Sequence, residues 1–250
     1  MKVSIITVSY NSESTIGDTI KSVISQTYKN IEYLIIDGNS VDNTLNIIKK
    51  YNSKIYKIVS ENDNGIYDAM NKGINLATGD IIAILNSDDV YSNVNVINNV
   101  VEKFKQNSIS CLYGDLVYTK KNDLNKITRF WKSGKYINNS FLYGWMPPHP
   151  TFFVKREIYL KYGYFRLNLS SAADYEIMLR IIHKNNERVF YFPEILIKMR
   201  EGGVSNDNLL NRLRANKQDK IAWSINEIKP YFFTLWLKPL RKIHQFFVKS

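Results

Sequence analysis

The first ninety residues alternate in a way few folds allow. Short β-branched runs are separated by stretches whose apolar residues recur at helical spacing. Lys2–Val8, Tyr33–Ile36, Ile55–Val59 and Ile81–Leu85 read as strands, and Ser14–Ser25, Asp42–Tyr51 and Ile66–Ala77 as helices between them. In the first helix Ile16, Ile20, Val23 and Ile24 share one face. Thr78-Gly79-Asp80 ends the third helix at a glycine. A further helix is expected at Val94–Phe104. Strands joined by helices of this length pair in parallel through right-handed crossovers. The strands themselves carry apolar runs that suit burial on both faces. The expected fold class is therefore α/β, with a mostly parallel central sheet flanked by helices.

Polar clusters follow strands one, two and four. They are Ser9-Tyr10-Asn11-Ser12, Asp37-Gly38-Asn39-Ser40 and Asn86-Ser87-Asp88-Asp89. Open parallel sheets bind ligands beyond the carboxyl ends of their strands, so these clusters are expected to meet in one cleft. The pattern changes after residue 110. Leu112–Thr119 and Ile127–Trp131 read as a hairpin around a polar turn at Lys120–Lys126, and Thr151–Val154 as extended chain. Ala173–Lys184 reads as a helix, Val189–Phe192 and Ile195–Met199 as two short strands, and Leu209–Ile225 as a charged helix or helix pair.

Several residues in these clusters have the chemistry of a site. Asp88 and Asp89 are adjacent carboxylates whose repulsion a hard divalent cation, Mg²⁺ or Mn²⁺, would relieve. Capping of the following helix is the alternative role for Ser87, Asp88 or Asp89. Asp37, at a strand end, can accept from a base N–H or a sugar hydroxyl, and Tyr10 offers a ring to a nucleobase. Lys72, beside Asn71, can meet a phosphate as a point charge, or can simply be a solvated helix lysine. Asp174 is either a helix cap or a general base. His149 and Arg200 lie in irregular segments able to cover an anionic substrate, Arg200 as a bidentate phosphate donor.

Composition excludes more than it assigns. With 44% apolar residues, 11 Gly and 6 Pro in 250, the chain is neither disordered nor fibrous. A single cysteine, Cys111, makes no intramolecular disulfide, and with three His it argues against a zinc ribbon. There is no phosphate-binding G-x-x-x-x-G-K-[ST], no G-x-G-x-x-G, no H-E-x-x-H and no G-x-S-x-G. No early segment reads as a signal peptide and no apolar run reaches eighteen residues, so a cytoplasmic location is expected. Charge is uneven. Residues 1–100 carry 8 basic and 11 acidic groups, and residues 212–250 carry 9 and 2. An acidic front argues against a uniform nucleic-acid coat, and a basic back suits a phosphate, a polyanion or a lipid surface.

Six segments in order carry a resemblance. They are Thr7-Val8-Ser9-Tyr10-Asn11, Ser22–Tyr28, Ile35–Thr44, Gly65–Gly73, Ala77–Asp80 and Leu85–Asp89. Together they resemble the family 2 glycosyltransferases of GT-A fold, most of all bacterial members that build O-antigen, capsule or exopolysaccharide. His149-Pro150-Thr151, Ala173-Asp174-Tyr175 and Gly202-Gly203-Val204-Ser205 extend the likeness to about residue 205. The resemblance implies a nucleotide-diphosphate sugar donor (a UDP-sugar favoured), a divalent Mg or Mn cation and inversion at the anomeric carbon. It implies that Asp37 holds the nucleobase, with Thr7, Ser9, Tyr10 and Asn11 lining its pocket. Asp88 would contact the ribose or sugar and share the metal with Asp89, and Asp174 would be the base. Asn71, Lys72, Asn86, His149 and Arg200 complete the expected substrate contacts. Asn86 stands where a strict D-x-D motif has its first acid. The Gln-x-x-Arg-Trp motif of processive synthases is absent, so transfer of one sugar is expected.

The expected organisation is a catalytic domain over 1–205, with a nucleotide-sugar half to 110 and an acceptor half from 111. A basic, amphipathic helical extension would follow over 206–250. In that extension Phe232, Phe233, Leu235, Trp236 and Leu240 alternate with Lys238, Arg241 and Lys242. This pattern suits peripheral contact with an anionic membrane and a glycan or lipid-linked oligosaccharide acceptor. Packing on the domain and dimerisation are the alternatives, and Pro239 is expected to break any long helix. Rival readings are a nucleotide-sugar-binding protein without activity, a nucleotidyltransferase and a basic nucleic-acid-binding protein.

Overall fold

The computed structural model of the protein describes residues 1–202 and 209–243. The expected boundary at 205/206, the Gly203-Val204-Ser205 part of one expected loop and the final Phe246, Phe247, Val248 and Lys249 lie outside the described residues.

The first half follows the alternation. In chain order it contains β1 (Val3–Ser9), α1 (Ile16–Ile24), β2 (Ile31–Asp37), α2 (Thr44–Lys49), β3 (Lys57–Ser60), α3 (Ile66–Leu76), β4 (Ile81–Asn86), β5 (Asp89–Tyr91) and α4 (Val96–Gln106). The second half contains β6 (Cys111–Lys120), β7 (Asp123–Trp131), β8 (Phe153–Lys155), α5 (Arg156–Tyr162), α6 (Ala173–Met178), β9 (Val189–Arg200), α7 (Leu209–Ile225) and α8 (Thr234–Ile243). One nine-stranded sheet runs in the order β3-β2-β1-β4-β8-β6-β9-β5, with β7 beside β6.

Pairing is parallel from β3 to β4 and between β6 and β9. It is antiparallel where β8 joins β4 and β6, where β7 joins β6 and where β5 joins β9. The sheet is thus mixed, and the mostly parallel expectation holds only for its first half. Crossover helices enforce parallel pairing there. The later strands are joined by the β6–β7 hairpin, by irregular chain from β7 to β8 and by α5 and α6 from β8 to β9, which do not make each strand the parallel neighbour of the one before it.

Side chains alternate across the sheet into two cores. Val3, Ile5, Tyr33, Ile35, Ala83 and Leu85 pack with α1 and α4 on one face. Ile6, Val8, Leu34, Ile36, Ile82 and Ile84 pack on the other, with Met70 and Ile74 of α3. This period of two in strands buried on both sides explains their unbroken apolar runs. Gly73 lets α3 lie directly on β1, since a Cβ there would stand 2.4 Å from Ile6 Cγ2.

Three readings need correction. The two short strands after residue 188 are one, β9. Pro193 falls where the β6–β9 register slips, so its missing N–H breaks no regular ladder. The helix expected over Ala173–Lys184 is α-helical only to Met178 and continues as a π-helical segment, Leu179–Lys184. Finally, α8 runs through Pro239 instead of ending there. Its inner face is held to the rest of the protein by Thr234 Oγ1, which donates to the Leu142 carbonyl at 2.6 Å, and by Lys238, paired with Asp219 at 2.7 Å.

Candidate active site

The three polar clusters do meet at the carboxyl ends of β1, β2 and β4. Ser12 Oγ and Ser87 Oγ are 2.8 Å apart, linking the loops after β1 and β4. The backbone N–H of Asn11 donates to Ser40 Oγ, and Asn11 Oδ1 accepts from the Val41 N–H, linking the loops after β1 and β2. Asn11 adopts φ 48°, a left-handed conformation that asparagine tolerates better than most residues.

Within this frame Asp37 is a scaffold group. It is fully buried, and its two oxygens accept from Ser9 Oγ, Ser40 N–H, Ser40 Oγ and Ser60 Oγ. Its acceptor sites are taken, so it is not positioned to read a nucleobase. Ser9 is engaged in the same network. Thr7 is likewise turned away, buried on the face of Tyr33 and 3.1 Å from its hydroxyl. Tyr10 is exposed, as is its neighbour Asn11. The Tyr10 ring lies beside Gly38, and Asp63 flanks the same glycine. A Cβ on Gly38 would stand 2.6 Å from Asp63 Oδ2 and 3.4 Å from Tyr10 Cδ2. Asp63 Oδ1 accepts from the Gly65 N–H, while among the described residues Oδ2 accepts no hydrogen bond. An exposed ring and a carboxylate thus close on Gly38, where no larger side chain fits without displacing Asp63.

The second centre is the turn between β4 and β5. Asp89 begins a short strand that pairs with β9, and it is fully buried. Asn86 Nδ2 donates to Asp89 Oδ2 at 3.2 Å. Asn86 Oδ1 and Asp89 Oδ1 are buried and have no partner. Burial, and then the neighbouring Asp88 charge, push the Asp89 carboxyl well above the ordinary range, against the Asn86 hydrogen bond and Arg200. Burial also raises Asp88. Two orphaned oxygens beside paired acids are a poor arrangement without a cation and a suitable one with it. Among the described residues no three His, Cys, Asp or Glu side chains converge, so a cation here would complete its shell with substrate phosphates and water.

Arg200 supports this turn from behind. It is buried, and it donates to the Asp88 carbonyl at 2.8 Å, the Lys121 carbonyl at 3.1 Å and Asp18 Oδ2 at 2.6 Å. It fixes the turn rather than standing free to bind a phosphate. Thr19 Oγ1 adds bonds to the carbonyls of Ser87 and Asp89.

The third centre surrounds Asp174 in the first turn of α6. Tyr67 donates to Asp174 Oδ1 at 3.1 Å. Burial first, and then the Asp174 charge, hold the Tyr67 hydroxyl far above the usual phenol range, so it remains a donor. Its ring stacks on Phe165 at 5.6 Å, and His149 meets Phe165 edge-on at 5.5 Å. Burial lowers the His149 pKa, opposed by the Asp174 charge. Asn71 clamps the backbone of Phe165, donating to its carbonyl at 2.8 Å and accepting its N–H at 2.9 Å. Behind Asp174, buried Glu176 pairs with Arg180 and Arg166 and accepts from Asn226 Nδ2. That network ties α6 to the chain around Tyr164 and to the end of α7.

The chain matches a known family. The family model described as "Glycosyl transferase family 2" matches residues 4–163. The chain belongs to this family. An uncharacterised glycosyltransferase of Mycobacterium tuberculosis is 33% identical over 181 residues, covering 71% of this chain and 68% of that one. The UDP-Glc:alpha-D-GlcNAc-diphosphoundecaprenol beta-1,3-glucosyltransferase WfgD of Escherichia coli is 35% identical over 141 residues, covering 56% and 54%. Among solved structures, S. aureus TarS 1-349 in complex with UDP-GlcNAc superposes with TM-score 0.68 at 19% identity, covering 90% of this chain and 71% of that one. The mannosyltransferase PcManGT of Pyrobaculum calidifontis, solved with GDP-Man and Mn²⁺, superposes with TM-score 0.67 at 15% identity, covering 95% and 72%. These likenesses show the GT-A fold. The protein is a glycosyltransferase.

In this glycosyltransferase the sequence reading missed two side chains, Tyr67 and Asp63. Tyr67 lies one helical turn before Asn71 on α3, and that spacing alone places the two on one face. Asp63 gave no such signal, because only the tertiary approach of its loop to Gly38 brings it to the site. Besides Thr7, Ser9, Asp37 and Arg200, two more expected substrate contacts are engaged elsewhere. Asn71 positions Phe165, as above. Lys72 Nζ donates to the Asn62 carbonyl at 2.8 Å and pairs with Glu61 at 2.9 Å, so it stitches the loop that carries Asp63. Asp88, Asp89, Asn86, Tyr10, Asp174 and His149 remain in the candidate site.

Proposed function

We propose that this glycosyltransferase moves one sugar, with inversion, from a nucleotide-diphosphate sugar to a hydroxyl of a growing lipid-linked surface glycan. The observation that carries the metal-dependent reading is the pair of buried, unpartnered oxygens on Asn86 and Asp89. Mg²⁺ or Mn²⁺ held by Asp89 and Asp88 would neutralise charge developing on the diphosphate. The Mn²⁺ and GDP-Man held by PcManGT, and the UDP-GlcNAc held by TarS, support a cation and a diphosphate donor. A UDP-sugar is the favoured donor. Tyr10 supplies a stacking face for its base, and Asp63 Oδ2 an acceptor for a base N–H.

Asp174 acts as general base. As the acceptor oxygen bonds to the anomeric carbon, its proton passes to the Asp174 carboxylate. The bond from that carbon to the diphosphate oxygen breaks, and the electron pair leaves with the nucleoside diphosphate. Attack opposite the leaving group inverts the centre. Tyr67 fixes which Asp174 oxygen is free to face the acceptor. The diphosphoundecaprenol-linked sugar named as the acceptor of WfgD supports a lipid-linked acceptor. Such an acceptor fits work at the cytoplasmic face of the membrane. Among the described residues no helix is long and apolar enough to cross a membrane.

A thermal-shift screen of UDP, GDP, CMP and TDP, each with Mn²⁺ and with EDTA, tests the donor and the metal. A ligand that binds only the folded protein raises its melting temperature by mass action. One diphosphate giving a Mn²⁺-dependent rise is the expected result. Equal shifts in EDTA would overturn the metal assignment. NMR of the product settles inversion by its anomeric configuration.

A further inference from the structure

We propose that the outward face of α8, with the segment leading into it, rests on an anionic membrane surface and brings Asp174 within reach of a lipid-linked acceptor. The second clause rests on the acceptor reading above; the first does not. The inner face of α8 is committed to the enzyme. Lys238 pairs with Asp219 and lies 3.7 Å over the ring of Tyr175, the residue next to Asp174. Trp223 Nε1 donates to the Tyr175 hydroxyl at 3.0 Å, so α7 and α8 both converge on the helix that carries the base.

The opposite face is apolar and uncovered. Phe232 is 91% exposed, Trp236 73% and Leu240 57%. Their spacing of four places them on one side of the helix and its entry. Tyr231 and Tyr143 extend the patch, with ring centroids 6.0 Å apart, and both are exposed. Exposed Lys229 and Arg241 flank it, and residues 229–250 contain five basic and no acidic residues. Trp, Tyr and Phe bordered by cations match the interface of an anionic leaflet, where rings sit among headgroups and the cations meet phosphates. A second copy of the chain is a worse occupant. A two-fold contact through this patch would bring the same basic groups of both copies together with no acid in the segment to pair them.

The test is co-sedimentation of the full chain with vesicles of phosphatidylcholine, alone or mixed with phosphatidylglycerol. No donor or acceptor is present, so the result is independent of the transfer reaction. The wild type is expected on the mixed vesicles, with binding weakened by salt. Its tryptophan emission should shift to the blue, because Trp236 is exposed whereas Trp145 and Trp223 are buried and Trp131 is half-buried. The triple variant F232S/W236S/L240S should bind about tenfold more weakly or worse. It should keep its melting temperature and its transfer to a water-soluble acceptor. Wild-type protein left in the supernatant, or a variant that binds as well as wild type, overturns the proposal. So does a wild-type dimer that the variant converts to monomer while vesicle binding is unchanged, which would assign the face to a second copy.

Discussion

Replacing Tyr67 by Phe removes one hydroxyl and leaves the stacked ring in place. The hydroxyl donates to Asp174 Oδ1 at 3.1 Å, and the ring lies 19° from parallel to Phe165. A hydrogen bond to a charged group contributes about 1.5–3 kcal/mol. The 3.1 Å distance is long for a charge-assisted bond, and Asp174 is only half-buried, so the lower end applies. If the bond serves to orient the base, losing about 1.5 kcal/mol lowers kcat roughly tenfold. The proposed donor contacts, Tyr10, Asp63 and Asp89, lie on other loops, so the KM for the nucleotide sugar should not change. Steady-state transfer to a soluble acceptor, followed by release of nucleoside diphosphate, reads both constants. A melting curve serves as control and should move by no more than a few degrees. Two results would refute the reasoning. One is a wild-type kcat. The other is a loss of kcat accompanied by an equal rise in donor KM, since that would indicate a general loosening of α3.

Three further outcomes follow from the same geometry. Asp89→Asn should melt a few degrees above wild type in EDTA, because the neutral amide avoids the burial and Asp88 repulsion that disfavour the charge. The variant should also lose the Mn²⁺-dependent shift, and a variant that melts lower and still responds to Mn²⁺ contradicts the site. Gly38→Ala places a methyl 2.6 Å from Asp63 Oδ2 and should displace that carboxylate. Donor KM should rise about fivefold with little change in kcat, and an unchanged KM removes Asp63 from base recognition. Glu32 supplies a pH dependence. Burial alone would raise its pKa, but Lys2, Ser4 and Thr78 outweigh burial and bring it to about 2 from 4.5. The lowered value means that Glu32 stabilises the fold above pH 4.5 and that this contribution fades as pH falls toward 2. Urea unfolding at a series of pH values should therefore show a smaller acid loss in Glu32→Gln than in wild type.

Much of the first half was legible because its signals are local. β-branched runs in β1, β2 and β4, and apolar spacing in α1 and α3, depend on neighbours within a few residues. The second half was less legible. β8 has three residues and α5 seven, too few for periodicity to mark them. β9 held together through Pro193 because β6 tolerates a slip in register there.

The candidate site divides along the same line. The sequence determined the residue types at each strand end, and with parallel topology it determined that Ser9–Ser12, Asp37–Ser40 and Asn86–Asp89 would meet. It also singled out Asp174. Which of these groups remained available was decided only by tertiary structure. Asp37 is saturated by Ser9, Ser40 and Ser60, and Arg200 by Asp18, Asp88 and Lys121, whereas Asn86 and Asp89 each retain an unpartnered oxygen. A carboxylate's chemistry is written in its residue type. Its availability depends on whether neighbours distant in sequence already fill its lone pairs, and only the packing of the folded chain decides that.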